Sequence, residues 1–350
     1  MRRRHRYLLY EVTPRCQNSC VFCYNVWKET PDYPTGELST EDALRLLGKV
    51  IDETGCEFIG LTGGEPLLRP DIFEIASYIS SRKVTPVLIS NGALLSRETV
   101  AACVKSGVKY FEVSLHGHVP AVHDALAGRE GSFEEVVEAI INIKELKAKV
   151  NTVFVATSRN IEAFREYVEL NALLRVDWIL FNRVACGGTC VDDWESLAPS
   201  PEAIQRALDA GMPVAERYHM GLSAGVQIQP CLIDLSRWAS VKAGFCPLND
   251  PESENSYFAI DPGGNLRLCN RSGIILGSLL HDSVERLADN PAADAFCAAV
   301  PDFCRGCALA SSCAGGCKAD AYSRFGSLTM ADPYLEKYRE RAKKPAATSR

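Results

Sequence analysis

Residues 7–24 have the sequence YLLYEVTPRCQNSCVFCY, an apolar stretch followed at once by three closely spaced cysteines. Cys16, Cys20 and Cys23 have the spacing C-x3-C-x2-C, which places three thiols in one short loop. Thiolates are soft ligands that suit iron–sulfur clusters or zinc. Because a [4Fe–4S] cluster has four irons, three cysteines would leave one iron open to another ligand. The loop therefore indicates a reactive site more than a structural one.

The apolar stretch is the first of six in which a strand-like run precedes an amphipathic helical pattern. The runs are rich in Val, Ile, Leu, Phe and Tyr, which favour strands. Strands that alternate with helices require right-handed crossovers and a parallel sheet, with functional loops at the carboxyl ends of the strands. The sequence therefore predicts an α/β fold, a partial (β/α)6 parallel barrel, with a doubly wound sheet as the alternative. The predicted strands are Tyr7–Val12, Glu57–Leu61, Thr85–Ser90, Tyr110–Leu115, Asn151–Ala156 and Asp177–Phe181.

Two helix starts carry the pattern of a capping box, in which a hydroxyl accepts a hydrogen bond from a first-turn amide. Ser39-Thr-Glu-Asp42 predicts the start of one helix. Ser132-Phe-Glu-Glu135 predicts a second cap of the same kind, downstream of the fourth strand.

Composition and charge exclude several classes of protein. The chain has 350 residues and a net charge of −6, which argues against a nucleic-acid-binding protein. The sequence contains neither an apolar run long enough to span a membrane nor a signal peptide, so we expect a cytoplasmic protein without a membrane partner. Because that compartment is reducing, metal binding explains the fifteen cysteines better than disulfide bonds do. Cys56, Cys103 and Cys297 stand alone and are expected to be buried apolar residues.

The texture of the sequence changes after Cys231, where helical periodicity weakens and cysteines, glycines and turns dominate. This pattern is typical of a small domain held together by metal. The sequence predicts a core barrel at residues 1–185 and a bridging region at 186–230. A cysteine-rich domain at 231–335 and a frayed tail at 336–350 follow.

The cysteine loop, with the aromatic Phe22 before its last cysteine, resembles the signature of the radical S-adenosylmethionine (radical SAM) superfamily. In that family SAM chelates the open iron of a [4Fe–4S] cluster, and one electron cleaves SAM to a 5′-deoxyadenosyl radical. A zinc site, or a cluster without an open iron, is the alternative. The resemblance covers residues of about 7 to 185. It implies cofactor-binding roles for Phe22, Gly63, Gly64, Glu65, Ser90, Asn91 and Ser114.

Three strand-end motifs support the resemblance. Thr62-Gly-Gly-Glu65 follows the second strand, where glycines permit close backbone approach and a carboxylate can accept hydrogen bonds from the methionine ammonium. Ser90-Asn91-Gly92 and Ser114-Leu-His-Gly117 follow the third and fourth strands and resemble contacts to the ribose or carboxylate of SAM. Ordinary strand-to-helix turn chemistry is the alternative for each motif taken alone.

The fourth motif departs from the family pattern. Relatives that modify peptides often carry Ser-Leu-Asp-Gly, whereas this chain has His116 in place of the aspartate. His116 either contacts the substrate or fills space. His123, which precedes Asp124, is a second candidate for proton transfer, with a helix-entry hydrogen bond as the alternative. These two histidines are the only catalytic candidates that the sequence offers.

A second cysteine pattern occupies the cysteine-rich domain. Its cysteines follow the spacing C-x2-C-x5-C-x3-C after a G-x4-C element, which resembles the SPASM extension that holds auxiliary [4Fe–4S] clusters in radical SAM enzymes. A zinc ribbon is the alternative. The resemblance implies a nearer cluster on Cys246, Cys269 and Cys317, with Cys231 as its fourth ligand, and an outer cluster on Cys304, Cys307 and Cys313.

The outer set lacks one cysteine. The family pattern often closes with Asp-Pro-Tyr-Cys, whereas residues 332–335 have the sequence DPYL and no later cysteine follows. The outer cluster would be held by three cysteines, completed by Asp332 or Asp320, or unstable. Cys186 and Cys190, in the sequence CGGTC, would lie near the active-site mouth, form a redox pair or be free thiols.

The resemblances together predict an oxidoreductase that uses a radical to abstract a hydrogen atom from its substrate. The first hypothesis is a ribosomally made peptide, cross-linked or oxidised at a side chain. Because the loop starts close to residue 1, a separate protein would then recognise the leader peptide, or the peptide would dock in another way. The alternatives are a small natural product or tetrapyrrole, which His116 favours, and a non-catalytic iron–sulfur electron carrier. Flavodoxin or ferredoxin is the expected electron donor.

Overall fold

The computed structural model describes residues 5–343, except 31, 35, 239–240, 242–244, 247 and 249–257. The strands are β1 Tyr7–Thr13, β2 Phe58–Gly63, β3 Thr85–Ser90, β4 Tyr110–Ser114, β5 Lys149–Ala156, β6 Trp178–Arg183, β7 Gly221–Ala224, β8 Ala259–Ile260, β9 Asn265–Arg267 and β10 Ile275–Ser278. The helices are α1 Thr40–Thr54, α2 Ile72–Ser81, α3 Arg97–Lys105, α4 Pro120–Ala127, α5 Ser132–Glu145, α6 Phe164–Leu173, α7 Trp194–Leu197, α8 Pro201–Arg217, α9 Val284–Ala288, α10 Pro291–Ala298, α11 Lys318–Phe325 and α12 Pro333–Lys337.

The strands form one sheet in the order β10-β9-β8-β1-β2-β3-β4-β5-β6-β7. Strands β1 to β7 are parallel and follow chain order, with helices between them, as in a partial parallel barrel. The α/β fold and all six predicted strands are confirmed. The sequence missed β7 because this strand has only four residues, two of them Gly and Ala, and little apolar character.

Side chains of the parallel strands alternate between the helices and the inner face of the barrel. In β5, the ring of Phe154 lies 5.0 Å from Phe164 and 4.5 Å from Tyr167, both on α6. Because successive strand residues point to opposite faces, Val153 and Val155 line the inner face, where both are only half-buried. The interior of the barrel is therefore less tightly filled than the layer between sheet and helices.

Helix caps follow the sequence in one case and depart from it in another. The predicted cap of α1 is confirmed, because the Ser39 hydroxyl accepts a hydrogen bond from a first-turn amide. The cap predicted for Ser132 is wrong, since this residue lies inside the first turn of α5. The carboxylate of Asp124 caps α5 instead, accepting hydrogen bonds of 2.8 Å from the amides of Gly131 and Phe133. Asp124 therefore stabilises the start of α5.

Residues 186–230 continue the barrel, since β7 pairs with β6 and α8 packs against α6. A Cβ atom on Gly211 of α8 would lie 2.7 Å from the ring of Phe164. Glycine at this position allows the two helices to approach closely. The region predicted as a bridge therefore completes the wall of the barrel.

The cysteine-rich region joins the other edge of the sheet, where β8 runs parallel to β1. The guanidinium of Arg267 forms a buried ion pair with Glu11 of β1. The hydroxyl of Tyr33 donates a 2.9 Å hydrogen bond to Asp261. Removing one partner of a buried ion pair costs about 3–5 kcal/mol, so these contacts fix the region firmly against the barrel.

The start of the predicted tail is packed. Helix α12 continues to Lys337, and the amide of Lys343 donates a 2.7 Å hydrogen bond to the carbonyl of Cys231. The prediction that the chain frays from residue 336 is therefore wrong for residues 336–343. Residues 344–350 lie outside the described residues.

Candidate active site and cysteine sites

The turn after β2 forms backbone hydrogen bonds with the residues just before Cys16. The amide of Gly64 donates a 2.7 Å hydrogen bond to the carbonyl of Thr13, and the amide of Glu65 donates one of 2.8 Å to Arg15. A Cβ on Gly64 would lie 2.0 Å from the carbonyl oxygen of Arg15, and Gly63 has a φ of 131°. Only glycines allow this approach, so Gly63 and Gly64 set the position of the loop.

A second turn, at residues 187–189, forms hydrogen bonds with the carbonyl groups of two cysteines of the loop. The amide of Thr189 donates a 2.8 Å hydrogen bond to the carbonyl of Cys23, and its hydroxyl lies 3.2 Å from the carbonyl of Cys20. Gly188 has a φ of 60°, and a Cβ there would lie 2.1 Å from the Cys23 carbonyl. The backbone between the cysteines is thus held in place by the second turn.

Cys186 and Cys190 flank that second turn and are both buried. The thiol of Cys190 donates a 3.1 Å hydrogen bond to the carbonyl of Ala185, and no disulfide joins the two residues. Burial raises the pKa of both thiols, that of Cys190 to about 11. Of the three alternatives for this pair, buried free thiols fit the structure.

The carboxylate of Glu65 joins the ends of β2 and β3. Glu65 is fully buried and accepts hydrogen bonds from the Ser90 hydroxyl at 3.0 Å and from the Asn91 amide at 2.8 Å. Burial raises the pKa of Glu65 to about 7, opposed by the amides of Asn91 and Leu67, which favour the charged form. Within the protein this carboxylate binds Ser90 and Asn91, and the contact with the cofactor predicted from the sequence stays a prediction.

The end of β3 meets the cysteine loop at Asn91. The side-chain amide of Asn91 lies 3.8 Å from the sulfur of Cys16, and its oxygen accepts a 3.1 Å hydrogen bond from Gln17. The other amide oxygen, Oε1 of Gln17, is buried and has no hydrogen-bond partner among the described residues. A buried acceptor without a partner costs free energy unless a ligand supplies a donor. The geometry therefore leaves a polar ligand position beside the thiols.

The thiols of the loop are electrostatically coupled. Burial raises the pKa of Cys20 to about 12, and the neighbouring Cys23 and Cys16 raise it further. Burial also raises the pKa of Cys16. Three thiolates at this spacing repel one another, and a bound metal cation reverses that balance by stabilising the deprotonated form.

His116 and His123 form a buried structural pair. The Nδ1 atom of His123 accepts a 3.1 Å hydrogen bond from the His116 amide, and Nδ1 of His116 accepts one of 3.3 Å from Val155. The two rings stack at 5.7 Å, and the edge of Phe22 packs on His116 at 4.6 Å. Burial lowers the pKa of both imidazoles, that of His123 to about 4. The Nδ1 atoms of both rings are thus occupied by backbone amides, and a role of His116 or His123 in proton transfer stays a prediction.

Ser114 lies at the end of β4, half-buried on the inner face. No hydrogen bond involves its side chain in the part of the chain that the structure describes. Of the predicted cofactor contacts, Gly63, Gly64, Glu65, Ser90 and Asn91 therefore form one connected network. Phe22 packs on His116, and Ser114 stands apart.

Cys246, Cys269 and Cys317 form an inner group of thiols. Burial raises the pKa of Cys246 to about 11, and the nearby Cys269 raises it further. Burial also raises the pKa of Cys317 well above its usual range, while the charge of Arg271 lowers it. The Nη1 atom of Arg271 is buried without a hydrogen bond among the described residues. A cluster sulfide beside these thiols would supply the missing acceptor.

A tyrosine connects the inner group to the cysteine loop. The side-chain amide of Asn270, next to Cys269, donates a 2.8 Å hydrogen bond to the hydroxyl of Tyr24. Tyr24 directly follows Cys23 in the sequence. The inner group therefore lies next to the loop and not at the far end of the cysteine-rich region.

Four thiols line a separate cavity, called the outer cavity below. Its volume is about 20 Å³, within a larger space that is open to solvent. The prediction that Cys231 belongs to the inner group is wrong, because the turn after Gln229 directs this residue to the outer cavity. Within the described residues, no three Cys, His, Asp or Glu side chains converge tightly enough for a single metal ion. The thiols of the outer cavity belong to Cys231, Cys304, Cys307 and Cys313.

Asp332 and Asp320 do not line the outer cavity. The carboxylate of Asp332 accepts hydrogen bonds from the amides of Cys317 at 2.7 Å and Tyr334 at 2.8 Å, and forms a buried ion pair with Arg183. Asp320 lies 3.5 Å from Arg183 and 3.6 Å from a nitrogen of Arg271. Both carboxylates stabilise buried arginines, so the structure does not support either as a metal ligand.

Glu112 is a functional candidate that the sequence reasoning missed. Its neighbours in β4, Phe111 and Val113, are buried against the helices, so Glu112 points to the inner face. Burial raises the pKa of Glu112 to about 7, and burial also raises the pKa of Tyr24, beside the cysteine loop, with a smaller contribution from the charge of Glu112. No described residue forms a hydrogen bond or ion pair with the carboxylate of Glu112. The signal available in the sequence was one charged residue at an inward-facing position of a strand in which buried and partly exposed residues alternate.

The comparisons with known proteins agree with this geometry. Residues 10–171 match the radical SAM superfamily. An AdoMet-dependent heme synthase of Methanosarcina barkeri is 34% identical over 167 residues, which are 47% of this chain and 46% of the relative. A GTP 3′,8-cyclase of Aquifex aeolicus is 34% identical over 42% of this chain and 47% of its own length. The chain thus spans about half the length of these curated relatives.

Solved structures match nearly the whole chain. The Streptococcus suis protein SuiB bound to its precursor peptide SuiA has a TM-score of 0.73 at 15% identity, over 94% of this chain and 75% of SuiB. The enzyme anSMEcpe with bound AdoMet has a TM-score of 0.71 at 16% identity, over 96% of this chain and 95% of its own. At these identities the likeness shows a shared fold.

Residues 10–171 are thus a radical SAM domain, as the sequence predicted. Such a domain binds a [4Fe–4S] cluster and SAM. The residues present fit both groups, because three coupled thiols lie in one loop and Gln17 leaves a buried acceptor beside them. Among the described residues no helix is long and apolar enough to cross a membrane.

Proposed function

We propose that this protein is a radical SAM oxidoreductase that abstracts a hydrogen atom from a ribosomally made peptide. The observation that carries the reaction is the contact between the cysteine loop and the end of β3, where Asn91 lies 3.8 Å from the Cys16 sulfur. When bound and reduced, the cluster supplies the electron that cleaves SAM to a 5′-deoxyadenosyl radical. The site residues carry out the binding and orientation that this cleavage requires.

Cys16, Cys20 and Cys23 would bind three irons of the cluster and leave the fourth to SAM. Glu65 positions this arrangement, because its carboxylate fixes the backbone of Asn91 and the hydroxyl of Ser90 at the end of β3. Gln17 would accept a hydrogen bond from the bound cofactor through its buried Oε1. Their proposed roles concern binding and orientation, and no proton transfer is assigned to His116 or His123.

The charge of the inner face supports a peptide substrate. Glu112 projects into the barrel without a cationic partner among the described residues. A carboxylate without a cationic partner repels a polyanionic substrate and attracts a cationic one. The structural neighbour SuiB, which binds the precursor peptide SuiA, has the same fold over most of this chain.

A tetrapyrrole is the second candidate, because several curated relatives act in heme formation by name. One is a Fe-coproporphyrin III synthase of Methanosarcina barkeri, 27% identical over 60% of this chain. The carboxylates of a porphyrin require cations, and the buried arginines of this chain are already paired with acids. Among the described residues these pairs are Arg69 with Asp71, Arg183 with Asp332, and Arg267 with Glu11.

The reaction and the substrate are tested separately. Anaerobic protein loaded with iron and sulfide, then reduced, should convert SAM to 5′-deoxyadenosine, and no conversion would refute the reaction. With deuterated candidate substrates, deuterium should enter 5′-deoxyadenosine from a peptide encoded beside this gene. Transfer from coproporphyrin or its iron complex would favour the second candidate instead. A flavodoxin or ferredoxin donor and a separate leader-binding protein are further proposals for such an assay.

A further inference from the structure

The outer cavity contains thiols from two distant parts of the chain. Cys304, Cys307 and Cys313 come from one segment, whereas Cys231 follows the strand that completes the barrel. The remaining lining consists of apolar side chains and backbone, with no carboxylate, imidazole or amide among the described residues. Sulfur is therefore the donor that this cavity offers to a metal.

Hydrogen bonds fix the segment that carries Cys231 against the other three cysteines. The side-chain amide of Gln227 donates a 2.9 Å hydrogen bond to the carbonyl of Cys313. The amides of Leu232 and Ile233 both donate to the carbonyl of Gln229, which forms a turn around Cys231. The placement of Cys231 thus follows from contacts on both sides of it.

Leu335 occupies the wall of the same cavity. Residue 335 is the last position of the sequence DPYL, where the family pattern often has cysteine and this chain has leucine. Leucine cannot bind iron, so a ligand that the segment 332–335 does not provide must come from elsewhere. Cys231 lies in the same cavity as Leu335 and supplies a thiol from the opposite segment.

We propose that Cys231 is the fourth ligand of a closed [4Fe–4S] site in the outer cavity, together with Cys304, Cys307 and Cys313. Each cysteine then binds one iron, and no iron is open to SAM or substrate. This site would serve electron transfer or stability and would connect the end of the barrel to the cysteine-rich region. The inference goes beyond the proposed function and does not depend on the substrate.

The test uses the full-length protein loaded with iron and sulfide under anaerobic conditions. Cys231→Ala should contain about four iron atoms fewer per chain than the wild type, since each [4Fe–4S] site holds four. Cys103→Ala, which removes a buried thiol of helix α3, is the control and should retain all iron. An unchanged iron content in Cys231→Ala would overturn the proposal.

A rescue variant separates loss of a ligand from loss of folding. In Cys231→Ala/Leu335→Cys the thiol moves across the same cavity, and the iron content should return to the wild-type value. Failure of the rescue, with the missing iron still absent, would count against a ligand role for Cys231. SAM cleavage by the wild type is measured in parallel. If cleavage fails while the iron counts behave as expected, the proposed function is wrong and the assignment of Cys231 stands.

Discussion

The cysteine loop and the outer cavity hold their thiols in opposite surroundings. In the loop, three thiols lie beside polar groups, with the Asn91 amide 3.8 Å from Cys16 and an unpartnered oxygen on Gln17. In the outer cavity, four thiols lie among apolar side chains such as Leu335. Three thiols with polar neighbours suit a cluster that accepts a further ligand, whereas four thiols in an apolar cavity suit a closed one.

Removing the thiols of the loop should have the largest effect. In Cys16→Ala/Cys20→Ala/Cys23→Ala, SAM cleavage should become undetectable, because no cluster remains to supply the electron. About eight iron atoms per chain should remain in the inner group and outer cavity. Iron analysis and 5′-deoxyadenosine formation check this prediction. Loss of all iron would show that the cysteine sites do not load independently.

Asp332 tests whether carboxylates take part in the outer cavity. Asp332→Asn should lower the free energy of unfolding by up to about 3–5 kcal/mol, because the buried Arg183 loses its nearer carboxylate and keeps only that of Asp320 at 3.5 Å. The iron content should not change, because Asp332 does not line the cavity. Urea unfolding and iron analysis on the same samples give both values.

The matched control is Asp302→Asn, which breaks an exposed pair with Arg305. It should change the free energy of unfolding by less than about 1 kcal/mol. If Asp332→Asn instead loses iron while its stability is unchanged, the closed site would include the carboxylate, and the contrast between the two regions would fail.

Replacing Glu65 tests whether the polar groups beside the cysteine loop are needed for SAM cleavage. Glu65→Gln should reduce SAM cleavage about 10- to 100-fold and leave the iron content unchanged, because Asn91 loses a charged acceptor without loss of a thiol. Since burial raises the pKa of Glu65 to about 7, wild-type activity should fall as the carboxyl is protonated below that pH. The variant should lack this fall.

A pH profile of SAM cleavage on both proteins checks this expectation. Glu57→Gln, at an exposed residue paired with Arg6, is the control and should behave as the wild type. Equal profiles for wild type and Glu65→Gln would indicate that the carboxylate does not position Asn91.

Glu112 should give the smallest effect, on stability. Its folded pKa of about 7 lies above the value of about 4.3 expected in the unfolded chain. The folded state therefore binds the proton more tightly, and wild-type stability should decrease as pH rises from about 4.5 to 7. Glu112→Gln should be more stable than wild type by about 1–2 kcal/mol at pH 8, allowing for screening by water in the barrel.

Urea unfolding at pH 4 and pH 8 measures this difference, which should vanish at pH 4, where both states are protonated. Glu134→Gln, at an exposed position of α5, should show no pH-dependent difference. An equal difference at both pH values would mean that Glu112 does not titrate in the barrel.

Local patterns made most of the fold and the first site predictable. The C-x3-C-x2-C spacing and the motifs that contain Glu65 and Asn91 lie at strand ends, and parallel strands bring those ends to one edge of the sheet. The cap of α5 was not predictable, because Asp124 comes from the preceding helix. Glu112 was missed because one acidic residue in a short strand carries little periodic signal.

The grouping of the distant cysteines could not be derived from spacing. Cys231 is separated from Cys304 by more than seventy residues, and only the course of the chain after β7 decides which thiols it meets. In the family pattern that this chain resembles, a final cysteine is the fourth ligand of the outer cluster. Leu335 stands at that place in this chain, so the resemblance was least informative where this sequence departs from it.

The contrast between an open and a closed site is tested most directly by the EPR spectrum of the reduced protein with and without SAM. The wild type and Cys16→Ala/Cys20→Ala/Cys23→Ala are compared under the same conditions. We expect SAM to change the wild-type spectrum and to leave the spectrum of the variant unchanged, because the open iron of the loop cluster would lie beside the polar groups of Asn91 and Gln17. A SAM-dependent change in the variant, or none in the wild type, would contradict this account.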